Sequence, residues 1–441
     1  MKEIDLSKML RAREERKETQ ERYLSRCSLP LICFTLNIPG PVKTFPLAKM
    51  TFETGVERIL RAIDSSSIKA FETAEKDTGY EAYFAVGSDA EKLKARMAEI
   101  EDADALGRLF DIDVLEKTGR KLSRPAPRKC LLCENSAAAC SRSRAHGEEA
   151  VKAEVLRIMR SHFKHAFMKK AADSAYRALL YEADATPKPG LVDRRNRGAH
   201  SDMDICLFRK SAEALRPYFY GFAGIGAEHP FASPQELADL LRPAGLAAEA
   251  GMLNATGGVN THKGLIFSMG LLLCSLGALF MSELDFEGVF EHCAKTAAVF
   301  FKDLQCITAE NAATHGEKLY AAYGVTGIRG EAAAGFPNVR ETGLPVYGRF
   351  LKNGFCRNDA AVLTLLELMA SVQDTNVLSR GGEEALEFVM SNAKRLLGFP
   401  ERMRLAMIEE FDDELIQKNI SPGGCADLLA VTLFAHDILS F

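Results

Sequence analysis

Eighteen consecutive residues without a charge, Gly264–Met281 (GLIFSMGLLLCSLGALFM), limit the folds open to this chain more than any other stretch. A helix that is apolar on every side has to be buried on every side, either within a helical bundle or within a membrane. The run contains three glycines and two serines, which favour close helix packing, and it lacks the Trp and Tyr typical of membrane interfaces. We therefore predict the central helix of a bundle and no membrane association.

The segment that leads into this helix, Ala255–Gly264 (ATGGVNTHKG), has the composition of a loop, because glycine costs backbone entropy and Asn and Thr compete for backbone hydrogen bonds. A helix N-terminus suits a phosphate through its free N–H groups and positive dipole end, and glycines let backbone approach a ligand. The alternative is a capped turn, in which Asn260 or Thr261 bonds the helix N–H groups while His262 and Lys263 face water. The phosphate interpretation predicts ligand-binding or catalytic roles for Gly257, Gly258, Asn260, Thr261, His262 and Lys263.

The two halves of the chain differ in their patterns. From Met168 onward, Ala- and Leu-rich helical patterns alternate with polar, glycine-containing interruptions, which predicts an all-α helical-bundle domain over residues 166–441. The first half combines a charged, solvent-facing helix over residues 5–25 with apolar strands at Leu31–Leu36 and Tyr80–Val86. We predict a multidomain protein whose first domain, residues 1–165, has an α+β fold.

Composition excludes several classes of protein. A chain of 441 residues is too long for one ordinary core and suggests about two to four domains. Its net charge of -4 argues against general nucleic-acid binding, which needs a strongly basic face. Eleven cysteines in a long chain with a charged start predict reduced thiols in a cytoplasmic protein without a signal peptide.

Four further interruptions of the second half carry polar side chains, namely Thr186–Asp204, Gly327–Glu341, Asp374–Gly382 and Ser421–Ala430. Caps and turns explain each one alone, but several such segments in one all-α domain suggest a shared pocket. Carboxylates there would bind Mg²⁺, and we assign this role to Asp202, Asp204, Asp374 and Asp427. Basic and glycine residues would bind a nucleotide without a Walker loop, and we assign this role to Lys188, Gly190, Lys263, Arg329, Arg380, Gly423 and Gly424.

An acidic pair lies on a predicted strand of the first half, in Gly107–Leu115 (GRLFDIDVL). In an extended chain Asp111 and Asp113 point to the same side, while the apolar residues between and beside them point to the other. Two adjacent carboxylates repel each other unless a cation lies between them, and Mg²⁺ accepts oxygen ligands and substrate phosphates. A solvated strand face is the alternative explanation.

A basic segment follows, with seven Lys or Arg and one acid, Glu134, between Gly119 and Ala145. It suits a polyphosphate, although a basic surface loop needs no ligand. Within and just after it lie Cys130, Cys133, Cys140 and His146, a C-x2-C-x6-C-x5-H pattern that could close a tetrahedral zinc site. Six residues between the second and third ligands are fewer than in most zinc fingers, so reduced structural cysteines remain the other interpretation.

These motifs resemble two known families. The second half, from about Lys170 to Phe441, resembles triphosphoribosyl-dephospho-coenzyme-A synthase through ALLYEADATPKPGLVD, GAH, ATGGVNTHKG, DTNVLSRGG and SPGGCADLL. The first half, up to about Phe163, resembles apo-citrate lyase phosphoribosyl-dephospho-coenzyme-A transferase through NIPGPVK, GRLFDIDVL and the Cys-rich segment. Together they resemble the fused bifunctional form of the two enzymes. The stretch Arg194–Gly198 (RRNRG) is more basic than this family pattern leads us to expect.

The resemblance implies two reactions. In the second half, ATP and 3'-dephospho-CoA would give 2'-(5''-triphosphoribosyl)-3'-dephospho-CoA and adenine, with a base among Asp202, Asp204 and Glu249 and with His262 as a further candidate. In the first half, a nucleotidyltransferase-like domain would transfer phosphoribosyl-dephospho-CoA to a serine of the acyl carrier subunit of citrate lyase and release diphosphate. Asp111 and Asp113 would bind Mg²⁺ for that step.

Three alternatives stay open at this point. A metal-dependent hydrolase of N-ribosyl bonds would share an acid-rich helical bundle, but it would release adenine without an acceptor. A non-catalytic module that binds a carrier protein would release no adenine. The carrier of malonate decarboxylase uses the same prosthetic group, so the second half alone does not distinguish it from that of citrate lyase.

Overall fold

The computed structural model describes residues 3–124, 126–282 and 288–439. Contacts divide the chain into two compact units, Met1–Lys164 and His165–Phe441. The division falls inside one helix, α5 (Glu148–Asp184). The prediction of one helix-rich domain after an α+β domain agrees with this architecture at the level of a mostly helical chain with a small N-terminal sheet.

The first unit contains a four-stranded antiparallel sheet with the strand order β2-β3-β1-β4. Its strands are β1 (Leu31–Leu36), β2 (Ile68–Lys76), β3 (Gly79–Val86) and β4 (Phe110–Leu115). The apolar runs of β1 and β3 and the alternation of acidic and apolar residues in β4 made these strands predictable. We did not predict β2, because it lies at the sheet edge and most of its side chains are exposed or half-buried, so it lacks an apolar pattern.

Helices pack on both faces of this sheet. Helices α1 (Leu6–Cys27), α2 (Pro46–Ala62) and α3 (Ala90–Asp102) contact the strands, and the unit also contains the short α4 (Ala137–Ser143) and the first part of α5. Helix α1 was predicted to face solvent, yet its Tyr23 and Leu24 pack against the core residues Leu31 and Tyr83. On the other face, Phe34 of β1 stacks on Phe52 of α2 with ring centroids 5.2 Å apart.

The described residues of the second unit form helices and loops, and they contain no strand. After α5 come α6 (Ile205–Glu228), α7 (Pro234–Thr256), α8 (Lys263–Ser282), α9 (Val289–Gln305), α10 (His315–Tyr323), α11 (Gly327–Ala333), α12 (Leu344–Lys352), α13 (Arg357–Ser371), α14 (Thr375–Leu397), α15 (Glu401–Gln417) and α16 (Gly423–Leu439). A π-helical turn, Asn338–Gly343, precedes α12, and α14 is kinked at Gly382.

Helix α8 is the apolar helix predicted from the sequence. It is long and apolar enough to cross a membrane, but 83% of the window that meets this test is buried inside the protein. It packs against α6, α7, α9 and α16. Glycines allow the close approach, since a Cβ on Gly277 would lie 2.0 Å from the carbonyl oxygen of Ala223 on α6. Its length and hydropathy therefore reflect a core position in the bundle.

Several segments that we predicted as loops are instead helix ends. The loop before α8 is confined to residues 257–262, because α7 continues to Thr256. The segment Gly327–Glu341 is largely helical, and α14 starts at Thr375. Gly, Asn and Asp are favoured at helix termini as well as in loops, so composition did not separate the two.

Candidate active site

A cavity of about 150 Å³ lies in the second unit where the starts of α8, α14 and α16 meet. Eight of the residues that we predicted as site residues line it, namely Lys188, Asn260, Thr261, His262, Lys263, Arg380, Gly423 and Asp427. Four separate chain segments therefore converge on one pocket. Three helix N-termini meet at this place, and the positive dipole end of a helix suits an anionic ligand.

Lys188 brings a buried positive charge to this cavity. Its side chain is 1% exposed, and Nζ donates to the carbonyl oxygen of Glu182 at 2.7 Å and to Glu182 Oε1 at 2.5 Å. The backbone N–H of Lys188 donates to Asp193, which fixes the loop. A buried ammonium requires such a partner, and its remaining N–H can reach a ligand.

His262 presents a neutral ring to the same cavity. Ser211 Oγ lies 2.7 Å from Nδ1, and Thr261 Oγ1 donates to Ser211 at 2.7 Å. Since the Ser211 oxygen accepts from Thr261, its own hydrogen points to Nδ1, and this network assigns the ring proton to Nε2. Nε2 is buried and has no hydrogen-bond partner among the described residues. Burial, and then the charge of Lys188, lower the pKa of His262 to about 3, so Nε2–H is an uncharged donor.

Asp427 lies about one turn inside α16. It lines the cavity opposite the start of α8, where a Cβ on Gly264 would lie 2.4 Å from its Oδ2. Burial raises the pKa of Asp427 well above its usual value, and the nearby acids Glu182 and Asp374 raise it further. Acidic groups held together in this way favour a cation or a proton between them.

Asp374 was predicted as a metal ligand, and its oxygens accept backbone hydrogen bonds in the structure. Oδ1 accepts from the N–H groups of Asn376 and Val377, which caps α14, and Oδ2 accepts from the N–H of Cys425 at 2.8 Å. Burial raises the pKa of this carboxyl. The side chain thus links the starts of α14 and α16, and it holds the cavity wall together.

The three acids that we considered as general bases do not line the cavity. Asp204 caps α6 through the N–H of Leu207 at 2.9 Å, and Glu249 forms an ion pair with Lys263 at 2.8 Å. Asp202 is 60% exposed, and its carboxylate lies 4.0 Å from Nδ1 of His200, a cavity residue. Of these three acids, Asp202 is therefore the one whose carboxylate neither caps a helix nor pairs with a lysine.

The other predicted ligand-binding residues have structural contacts outside the cavity. Gly257 is the left-handed C-cap of α7, and Gly258 donates its N–H to Leu253 in the same turn. Gly424 lies beside Asp374, and the N–H of Gly190 donates to Asp412 at 2.8 Å. These glycines serve helix ends and close packing.

Structural contacts also account for the assigned residue Arg329 and for the basic stretch Arg194–Gly198. Arg329 forms an ion pair with Glu317 of α10 at 3.3 Å and is not among the residues that line the cavity. The unexpectedly basic RRNRG stretch is anchored on α15, because Arg195 pairs with Asp412 at 2.8 Å and with Asp413 at 3.1 Å. Its charge therefore serves to hold the loop that carries Lys188.

In the first unit, Asp111 and Asp113 lie on β4 and alternate with buried Phe110, Ile112 and Val114, as predicted. Lys121 pairs with Asp113 at 2.6 Å, and Arg128 lies 3.5 Å from Asp111, so the acidic pair meets the basic segment. Their carboxylates are 49% and 26% exposed, respectively, which leaves them accessible to a ligand.

Two buried side chains that we did not predict support this strand. Glu101 of α3 accepts the N–H of Ile112 at 2.8 Å and pairs with Arg128, while Lys94 donates to the Ile112 carbonyl at 2.8 Å. Burial raises the pKa of Glu101 and lowers that of Lys94. Both side chains form hydrogen bonds with the backbone of Ile112 at the edge of the sheet, and they thereby hold the strand that carries Asp111 and Asp113 in place.

The residues Cys130, Cys133, Cys140 and His146, here called the Cys/His cluster, come together near this strand. One ligand atom from each lies within 4.8 Å of all the others. Backbone N–H groups of the Cys130–Cys133 turn are the main cause of a lowered pKa of Cys130, about 7.

Comparison with known proteins assigns a family to each half. Residues 4–162 match the family model of apo-citrate lyase phosphoribosyl-dephospho-CoA transferase, and residues 168–440 match that of ATP:dephospho-CoA triphosphoribosyl transferase. The chain belongs to both families. As expected from the motifs, the two lie in one polypeptide, with the citrate lyase transferase family first.

Individual relatives support this fused organisation. The protein CitXG of Haemophilus influenzae is 35% identical over 450 aligned residues, which cover 98% of this chain and 96% of the relative. The 2-(5''-triphosphoribosyl)-3'-dephosphocoenzyme-A synthase of Escherichia fergusonii is 42% identical, over 60% of this chain and 90% of the relative. That of Pectobacterium atrosepticum is 46% identical, over 58% of this chain and 84% of the relative.

Within the triphosphoribosyl transferase half, the cavity also contains residues that sequence reasoning did not select, namely Glu182, His200, Phe208, Asn376 and Ser421. Most of them lie inside or beside the motifs that carry the resemblance, so their positions were available. What the sequence lacks is a signal that separates Glu182, which balances Lys188, from an ordinary surface acid of a helix. Long-range packing provides that distinction.

Proposed function

We propose that residues 166–441 convert ATP and 3'-dephospho-CoA into 2'-(5''-triphosphoribosyl)-3'-dephospho-CoA and adenine. Residues 1–165 then transfer phosphoribosyl-dephospho-CoA to a serine of the citrate lyase acyl carrier subunit, with release of diphosphate, in the cytoplasm. The observation that carries this proposal is the single cavity where three helix N-termini, three cationic side chains and a neutral imidazole meet. Membership of the two families supports the order of the reactions.

The cationic side of the cavity is suited to the triphosphate of ATP. Lys188, Lys263 and Arg380 line it, and Lys263 is the first residue of α8. Arg380 is oriented by Ala199 and His200, to which it lies at 2.9 and 3.1 Å. Charge-assisted hydrogen bonds from these side chains can bind the triphosphate while its phosphate bonds stay intact.

The acids of the cavity fit a divalent cation. The charge of Glu182 helps to raise the pKa of Asp427, and a metal ion would relieve this repulsion. We propose that these two residues hold Mg²⁺. The ion would neutralise phosphate charge on bound ATP. Asp202 and Asp204, which the sequence also suggested as Mg²⁺ ligands, do not line the cavity, and the backbone contacts of Asp374 favour a structural role.

The reaction in this cavity is glycosyl transfer. The 2'-hydroxyl oxygen of dephospho-CoA forms a bond to C1' of the ATP ribose, the bond from C1' to adenine breaks, and the hydroxyl proton leaves to a base. Adenine departs with the bonding electrons and takes up a proton. We propose Asp202 as the base, because its carboxylate lies beside a cavity residue and is not used by a helix or a lysine. Nε2–H of His262 donates a hydrogen bond to the departing adenine.

In the first unit, the serine hydroxyl oxygen of the carrier forms a bond to the α-phosphorus of the product, the bond to the diphosphate breaks, and the hydroxyl proton leaves to solvent. Asp111 and Asp113 would hold Mg²⁺, since both lie on one strand face and remain partly exposed. Lys121 and Arg128 are positioned to contact the phosphates. The chain's own part in this step is to orient the phosphate chain and to balance its charge.

Release of adenine tests the proposal directly. The protein is incubated with ATP, Mg²⁺ and dephospho-CoA, and adenine is measured by chromatography with and without the acceptor. We expect adenine in proportion to dephospho-CoA consumed, and none without it. Adenine and free ribose triphosphate without the acceptor would indicate an N-ribosyl hydrolase. No adenine at all would indicate a binding module. Labelling of purified citrate lyase and malonate decarboxylase carriers in parallel then identifies the partner.

A further inference from the structure

The Cys/His cluster has the dimensions of a tetrahedral metal site. Cys133 Sγ lies 3.5 Å from Cys140 Sγ and 3.4 Å from His146 Nε2. Around zinc, with bonds of about 2.3 Å to sulfur and about 2.0 Å to nitrogen, tetrahedral geometry places ligand atoms about 3.5 to 3.8 Å apart. The widest separation in the cluster, at most 4.8 Å, requires a shift of about 1 Å to close around an ion.

The backbone around the cluster is built to hold these side chains. A short hairpin carries the first two cysteines, closed by the Cys130 N–H to Asn135 carbonyl bond at 2.7 Å and by the Ala137 N–H to Arg128 carbonyl bond at 2.8 Å. Ser136 caps α4, which carries Cys140. Arg144, in the left-handed conformation, then turns the chain so that His146 returns to the sulfur atoms.

This part of the chain also lacks the apolar residues that would otherwise fold it. Among the described residues between 120 and 147, only Leu122, Cys130 and Cys140 are buried. A segment of this size cannot stabilise one conformation with so small a core, and small segments of this kind use metals or disulfides. All eleven cysteines of the chain are free thiols in the structure.

We propose that the Cys/His cluster binds one structural Zn²⁺ ion through three thiolates and one imidazole. Four protein ligands fill the coordination shell, so the ion stabilises the fold and does not activate water. Binding releases the thiol protons. The sequence alone left zinc and reduced structural cysteines open, and the convergence of all four side chains favours zinc.

The position of the site indicates what the ion stabilises. Arg108, just before β4, donates to the Cys130 carbonyl at 2.5 Å, and Arg128, at the base of the same hairpin, reaches Asp111 and Glu101. A metal-bound hairpin therefore holds a basic side chain next to the acidic pair of β4. The metal site does not depend on the proposed reactions.

Metal analysis of the full chain tests this proposal without any substrate. Protein purified under reducing conditions without chelator should contain about one zinc ion per chain. Cys133→Ser and Cys140→Ser should lose most of it, whereas Cys306→Ser, which changes an exposed cysteine of the other unit, should keep it. His146→Cys should retain zinc through a fourth thiolate, and His146→Ala should bind it more weakly. Adenine release should persist in all of these variants. This activity serves as the control that the second unit is folded.

A second measurement covers variants that fail to fold. In the wild-type protein, a strong zinc chelator should make about three additional thiols reactive towards a thiol reagent, in step with zinc release. Wild-type protein that takes up no stoichiometric zinc after incubation with zinc sulfate and desalting would overturn the proposal. A disulfide between Cys133 and Cys140 in the purified protein, or unchanged zinc content in Cys133→Ser, would overturn it as well.

Discussion

At the scale of single residues, the cavity places a buried cation beside a neutral imidazole. Lys188 is 1% exposed, and its charge helps burial to lower the pKa of His262 to about 3. Glu182 balances this ammonium, and Ser211 fixes the ring. The side chains that would meet ATP are therefore oriented before it binds, so little reorganisation is needed during the reaction.

Replacing Lys188 by Met should destabilise the second unit by about 3–5 kcal/mol, because Glu182 would remain buried without its cation. Lys188→Met combined with Glu182→Gln should recover much of that stability but no adenine release. The matched control is Lys263→Met, which removes the ion pair with Glu249. The side chains of this pair are 50% and 24% exposed, so its loss should lower the free energy of unfolding by less than about 1 kcal/mol. Urea unfolding gives the stabilities. An equal loss of stability in Lys188→Met and Lys263→Met would show that burial of the Lys188 ion pair does not matter.

His262 should make the protein sensitive to acid. It stays neutral in the folded state down to about pH 3, whereas in the unfolded chain it takes up a proton near its ordinary pKa of 6.5. The unfolded state therefore binds more protons in this window, and stability falls as the pH falls, by about 2 kcal/mol at pH 5. His262→Gln removes this dependence, so the stability gap to the wild type should narrow between pH 7.5 and pH 5. If urea unfolding gave the same difference in stability between wild type and His262→Gln at pH 7.5 and at pH 5, the ring of His262 would not be neutral as assigned.

At the scale of elements, the site depends on where helices begin. The starts of α8, α14 and α16 surround one cavity, and Asp374 ties two of them together through backbone N–H groups. Gly264 permits this arrangement, because a Cβ there would lie 2.4 Å from Oδ2 of Asp427. Close packing of helix ends thus determines the position of an acidic side chain.

Gly264→Ala should therefore displace Asp427 and strongly reduce adenine release, with a change in stability of about 1 kcal/mol or less. Gly270→Ala on the same helix is the control, since its Cβ would meet Phe222 at an ordinary 3.5 Å. The initial rates of adenine release are compared between the two variants, and their free energies of unfolding show whether a lower rate reflects lost stability. If Gly264→Ala kept the wild-type rate, the position of Asp427 would not matter for catalysis.

Sequence patterns predicted elements whose signal is local. The uncharged run of α8 and the alternation around Asp111 reflect burial on all sides or on one side, and both were predicted. The burial of Glu182 and the contact of Asp374 with the N–H of Cys425, 51 positions away, depend on packing between distant parts of the chain, and no local pattern encodes them. The same limit explains why Gly257 was assigned to a ligand while it ends α7.

At the scale of the whole molecule, two chemistries occur on one chain. The product of the proposed first reaction is the substrate of the second, and a covalent link keeps the two sites at a high effective concentration. Each unit has its own core and its own acidic and basic residues. The two activities should therefore respond separately to mutation.

Asp111→Asn should stop carrier labelling and leave adenine release intact, because it changes the acidic pair of β4. Lys263→Ala should stop adenine release and leave transfer of externally supplied product intact, because it removes a cation from the cavity. A mixture of the two variants should again label the carrier from ATP and dephospho-CoA, since the intermediate can diffuse between chains. At low enzyme concentration this mixture should be slower than the wild type, which has both sites on one chain. If either variant lost both activities while folded, as judged by circular dichroism, the assignment of one reaction to each half would be wrong.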